Sequence, residues 1–200
     1  MYKKIVITLL ILLTTILSSC EKPKEEYDME LPYYEYLSEN NPLVTIKVKD
    51  FGIMKLELFK DVAEISVLNF IKYIEDKAYT NSTFHRIIKG FMIQGGIVLN
   101  TYPPIKGEFL SNGVVNNLKH HKGVISMART AINNSATSQF FIVHKDSPHL
   151  DGNYASFGGL VEGFDVLDKI ANTKTNPFND APLNEVLIES ITIDLRGFNK

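Results

Sequence analysis

A mostly β domain with one early and one late helix is what this sequence predicts, and three observations carry the prediction. Short apolar stretches with alternating side-chain character recur between Leu43 and Leu195, separated by Gly, Asn and Pro. From Asp61 to Lys77 the period becomes helical, with Ala63, Val67, Phe70, Ile71 and Ile74 on one face. Gly163 to Ile170 then suggests a short second helix. Two hundred residues with 44% apolar content fill one core, so a second domain is not needed.

Taken in order, Leu43 to Lys49 alternates apolar and polar, and Asp50-Phe51-Gly52 turns it into Ile53 to Phe59, an antiparallel pair. Asp61 is the expected N-cap of the first helix. In the strand that follows, Phe84, Arg86 and Ile88 should point one way and His85 and Ile87 the other. Lys89-Gly90 is a turn signal, after which Met92 and Gln94 share a face and Gly95-Gly96 lets another backbone or a ligand come close. Asn100 to Lys122, with Pro103-Pro104, Asn112-Gly113 and Asn116-Asn117, reads as loop. Gly123 to Ala128 is a strand, Arg129 to Thr137 a polar loop, and Ser138 to Val143 a buried strand in which Phe140 faces the core, opposite to Phe141. Leu150 to Gly158 is a turn feeding another strand, and Glu185 to Leu195 closes the domain. Strands interrupted by two helices fit an antiparallel barrel with the helices at its ends, although periodicity alone equally allows a sandwich.

Phe84 to Gly96 is the most informative segment, because it sets one cation and one amide among large apolar side chains at strand spacing. Arg86, Met92, Gln94 and Phe91 can line one concave surface, the make-up of a site that binds something apolar and polarises it. By itself, each of these residues also has a plainer role. Arg86 would be a half-buried cation paired to a carboxylate, Phe91, Met92, Phe140 and Phe141 would be core, and Gln94 and Gln139 would satisfy buried backbone groups. His85, facing away from Arg86, reads as a structural hydrogen-bonding residue. His120-His121 with His144 or His149 lack the i, i+4 spacing of a histidine metal site, so no metal is expected. Neither a phosphate-cradling glycine loop nor a Ser-centred nucleophile elbow is present.

Three segments in order, Phe84 to Gly96, Ser138 to Val143 and Leu150 to Gly158, resemble the cyclophilin-type peptidyl-prolyl cis-trans isomerases, and the similarity runs from about Leu43 to Leu195. The resemblance implies a closed antiparallel barrel of about eight strands capped by two helices. It also implies catalysis of rotation about X–Pro bonds, with proline-containing polypeptides as partners and no cofactor. Arg86 would be the catalytic cation, since guanidinium stays charged and offers directed donors. Phe91, Met92, Phe141 and Leu150 would form the apolar pocket for the prolyl ring, and Gln94 would hold the substrate backbone or orient Arg86. Ala128 and Gln139 would line the neighbouring groove, the backbone at Arg129 would bond the peptide, and Tyr154 would stand at the pocket edge, where many members have His. His149 replaces a Trp found in some members, and Lys89 a frequent turn Pro. A non-catalytic proline-peptide-binding module of a membrane-associated complex is the alternative that the same groove allows.

The N-terminus carries a different message. Lys3 and Lys4 precede the apolar run Ile5 to Leu17, which is short for a membrane span, and the sequence then reads Leu17-Ser18-Ser19-Cys20. This resembles a bacterial lipobox and divides the chain into a lipoprotein signal peptide (1–19), a tether (20–42) and an isomerase domain (43–200). Lipidation of Cys20 would anchor the protein to a membrane of the bacterial cell envelope. Lys24-Glu25-Glu26 resembles a short signal for surface display, so the periplasmic side and the cell surface both stay open. The Tyr33, Tyr34 and Tyr36 cluster could dock on the domain rather than belong to a free tether. Cys20 is the sole cysteine, so the domain must be held by packing rather than by a disulfide. Cleavage removes two of 21 basic residues and none of 23 acidic ones, leaving a formal charge of −4. A mildly acidic domain without a basic patch argues against nucleic acid as a partner, and a monomer is expected.

Overall fold

The computed structural model describes residues 30–198. Eight strands close into a barrel: β1 (Leu43–Val48), β2 (Gly52–Leu58), β3 (Ser82–Ile88), β4 (Met92–Gly95), β5 (Val124–Met127), β6 (Phe140–Val143), β7 (Ser156–Glu162) and β8 (Leu187–Asp194). Their order around the barrel is β1-β2-β7-β5-β6-β4-β3-β8, and every pairing is antiparallel. Closure removes the exposed edges that a sandwich would leave. Two helices, α1 (Glu64–Glu75) and α2 (Phe164–Ala171), pack against the strands. Val67, Phe70, Ile71 and Ile74 form the buried face of α1, as the period requires. Phe70 inserts among Tyr79, Phe140 and Phe157, with ring centroids 5.2 to 5.4 Å apart.

Asp61 does not cap α1. Ala63 occupies the N-cap and offers no side-chain bond. The exposed amides are satisfied from a distance instead: Ile65 and Ser66 donate N–H to the buried Glu108 carboxylate at 3.0 and 2.7 Å, and Ser66 Oγ–H donates to it at 2.7 Å. A carboxylate at this end also meets the positive end of the helix dipole.

Strand alternation assigns the two barrel faces in β4 and β6. Ile93, Phe140 and Ile142 join the main core with Phe84, Phe157 and the helices. Met92, Phe141 and Val143 belong to a smaller cluster with Tyr33, Phe59, Leu118 and Leu150. In β3 the alternation fails. The register shifts between Phe84 and Arg86, so Phe84 and Ile87, three residues apart, both reach the main core while Arg86 and Ile88 do not. Phe84 therefore does not share the face of Arg86, because a bulge inserts an extra residue between them.

The segment before β1 is not a free tether over its described part. Tyr33 is fully buried, its hydroxyl donates to Leu160 O at 2.7 Å, and its ring packs near Phe59. Gly159 makes room for it: a Cβ there would overlap the Tyr33 ring. A few residues on, the backbone amide of Ser38 and Nδ2 of Asn41 donate to the buried Glu57 carboxylate, which also receives Arg196 Nη1 at 2.8 Å. The signal peptide and Cys20 lie outside the described residues.

Candidate active site

One row of register partners crosses four strands. Arg86 on β3 stands opposite Gln94 on β4, Gln94 opposite Phe141 on β6, and Phe141 opposite Ser126 on β5. The β3–β4 turn closes with Phe91 N–H donating to Ile88 O at 3.0 Å and with Gly90 at φ +79, a conformation that favours glycine. His144, just past β6, secures it from the side. Gly90 N–H donates to His144 Nδ1 at 2.9 Å, and His144 N–H donates to Phe91 O at 2.8 Å.

These elements enclose a cleft of about 150 Å³ lined by Arg86, Phe91, Met92, Gln94, Ala128, Arg129, Phe141, Leu150 and Tyr154. Met92, Phe141 and Leu150 are almost wholly buried and form its apolar floor. Phe141 meets Tyr154 edge-on with centroids 5.8 Å apart, and Phe91 lies 5.3 Å from the His149 ring. Gln139 does not line the cleft. Its Oε1 accepts from Gln94 Nε2 at 3.0 Å, so it fixes the amide that does. A larger hollow, about 800 Å³, opens between the end of α1 and residues 97–102, but its walls hold no arginine, glutamine, methionine or phenylalanine. Chemistry rather than volume singles out the smaller cleft.

The match to known proteins agrees. A family model described as cyclophilin type peptidyl-prolyl cis-trans isomerase/CLD covers residues 43–193. The chain belongs to the cyclophilin-type peptidyl-prolyl cis-trans isomerase family. Similar curated proteins include peptidyl-prolyl cis-trans isomerase A of Dickeya dadantii, 39% identical over 71% of this chain and 80% of that protein. Peptidyl-prolyl cis-trans isomerase B of Escherichia coli is 38% identical over 71% of this chain and 94% of its own length. Among solved structures, a Cryptosporidium parvum cyclophilin type isomerase crystallised in the presence of the dipeptide Ala-Pro superposes with a TM-score of 0.67 at 31% identity, covering 76% of this chain and 98% of that one.

Two cations line the cyclophilin cleft. Arg129 lies over Tyr154 at 4.6 Å and over Phe109 at 5.0 Å, while its Nε and Nη2 donate to Asn153 O at 3.2 and 2.8 Å. Arg86 is 41% exposed; its Nε donates to Asp180 Oδ2 at 3.1 Å, and its Nη2 lies 3.1 Å from the same oxygen in an ion pair. The plain reading of Arg86 as a cation paired to a carboxylate and the reading of it as a cleft residue therefore hold together. Asp180 was not visible in the sequence, since it lies 94 residues away in an irregular loop.

Sequence reasoning also missed a buried chain beneath the cleft. His120 Nδ1 lies 2.9 Å from Asp151 Oδ1 and its Nε2 3.2 Å from Ser126 Oγ. Ser126 is fully buried, which denies it a substrate and makes the array a support. Burial holds His120 below the usual histidine range, with Asp151 opposing only in part. The buried Nδ1 of His85 has no hydrogen-bond partner among the described residues. Burial, then the nearby Arg86 charge, lowers its pKa as well.

Proposed function

We propose that this cyclophilin domain catalyses cis–trans rotation about X–Pro bonds in polypeptides outside the cytoplasm, while a lipid on Cys20 holds it to a membrane. One observation carries the catalytic part: a guanidinium stands at the rim of a small cleft with an apolar floor. The X–Pro bond resists rotation by roughly 18 to 20 kcal/mol because the nitrogen lone pair is conjugated with the carbonyl. No bond needs to break. The enzyme must bind the twisted state, whose nitrogen is pyramidal and basic, better than either planar one.

With the prolyl ring against Phe91, Met92, Phe141 and Leu150, an N–H of Arg86 donates to that nitrogen and favours the twisted geometry. Gln94, steadied by Gln139, holds the substrate backbone. Ala128 and Gln139 serve the adjoining groove, the backbone at Arg129 bonds the peptide, and Tyr154 forms the edge. Each further 1.4 kcal/mol or so of preference for the twisted state gives about tenfold in rate. The names of the similar proteins and the Ala-Pro dipeptide named with the similar crystal structure support this reading. The mechanism asks for no cofactor and is complete within one chain.

A proline-switched peptide assay on wild type and Arg86→Ala tests it. Activity should be present in the first and fall by about 100-fold in the second, with peptide binding retained. Peptide binding without turnover in wild type would make the groove a non-catalytic binding module. For the anchor, Cys20→Ser should move the protein from the membrane fraction to the soluble one. Unchanged sedimentation would rule lipidation out as what holds it.

A further inference from the structure

We propose that Asp180 is a positioning residue for Arg86, directing its free N–H groups into the cleft, an inference that rests on the isomerase reading above. Asp180 grips β3 at two successive residues. Its carboxylate Oδ2 accepts from Nε of Arg86 and lies in ion-pair contact with Nη2, and its carbonyl accepts from the N–H of Ile87 at 2.9 Å. The grip comes just past the bulge, where β3 has resumed regular pairing with β4.

The loop that carries Asp180 is itself fixed. Asp180 N–H donates to Asn176 O at 3.0 Å, Asn176 N–H donates to Ala181 O at 2.8 Å, and Thr175 pairs with Pro182. Asp180 adopts φ +60, the left-handed region that few residues other than Gly, Asn and Asp occupy. That backbone state lets one residue aim both its carbonyl and its side chain at β3.

Fixing matters because Arg86 is partly exposed and its side chain has several freely turning bonds. A guanidinium has five N–H groups in one plane. One hydrogen bond from Nε, with Nη2 held close to the same oxygen, sets the direction of the plane, and the remaining N–H groups are left for a substrate nitrogen. Catalysis by a directed donor requires the donor to be in place before the bond twists, so that no reorientation is added to the barrier. The neighbouring negative charge dilutes that of Arg86, so the gain lies in direction rather than in field.

The test compares kcat and peptide Kd for wild type, Asp180→Asn, Asp180→Ala, Asp180→Glu, Arg86→Ala and the Arg86→Ala/Asp180→Ala double variant. Asp180→Asn and Asp180→Ala should lower kcat about tenfold with peptide Kd changed by less than about twofold, and Asp180→Glu should recover part of the loss. In the Arg86→Ala background, removing Asp180 should cost nothing more. Unchanged or raised kcat in the Asp180 single variants overturns the inference, as does an equal fold-loss in both backgrounds. Thermal melting accompanies each variant, and if Asp180→Ala fails to fold, Asp180→Asn, which keeps the size, decides. A wild-type protein without turnover defeats the isomerase reading and this one together. Full activity in both wild type and Asp180→Asn defeats this one alone.

Discussion

The imidazole of His120 lies nearly parallel to the ring of Phe141, with centroids 6.1 Å apart and planes 17° from each other. Phe141 forms the floor of the cleft, and His120 is buried beside it with both ring nitrogens engaged, by Asp151 and Ser126. The cleft thus rests on an ionisable group, which ties its support to pH.

His85, His120 and His144 all have pKa values below the ordinary histidine value of 6.5, each chiefly through burial. The unfolded chain therefore takes up protons first as pH falls. Their contribution to stability is complete above about pH 6.5 and is lost as pH drops from there toward the folded values. Urea unfolding should show a lower midpoint at pH 5 than at pH 7.5, and His120→Asn should flatten that dependence. Identical slopes in wild type and variant would remove His120 from the account.

Phe91 tests the apolar wall without endangering the fold, because it is only partly buried and sits at the β3–β4 turn. Phe91→Ala should weaken peptide binding by about tenfold and leave the melting temperature within a few degrees of wild type. Isothermal titration with a proline peptide and a thermal melt provide the two readings.

Glu108, rather than Asp61, should prove to be the cap of α1. Glu108→Ala removes three hydrogen bonds to a charged acceptor and should cost about 2 to 4 kcal/mol, whereas Asp61→Ala should stay within about 0.5 kcal/mol. Denaturant unfolding of the two variants distinguishes them, and equal effects would contradict the assignment.

Tyr33 should behave as core rather than as tether. Tyr33→Ala empties a fully buried site and leaves Leu160 O without its donor, a loss of about 3 to 5 kcal/mol. Limited proteolysis should then cut between Leu31 and Asn41, where wild type should resist. A variant as stable and as resistant as wild type would return the segment to the tether.

The sequence by itself determined the strands, both helices and that Phe140 and Phe141 face opposite ways, because side-chain periods of 2 and 3.6 are local properties of the backbone. It also determined that Arg86, Phe91, Met92 and Gln94 could meet, since one hairpin carries them; that Phe141 joins them was implied by the family resemblance, and the pairing of β6 with β4 supplies the reason. Closure of the barrel is not in the periodicity, which fits a sandwich equally well; the family resemblance implies it and the strand pairing shows it. The bulge that separates Phe84 from Arg86, Glu108 at the start of α1, Glu57 beneath the chain ends, Tyr33 in its glycine socket and Asp180 on Arg86 were decided only by tertiary structure. Each joins groups with no fixed spacing along the chain, through loops whose path depends on what they dock against, and an unpaired amide or charge takes whichever partner closure brings within reach.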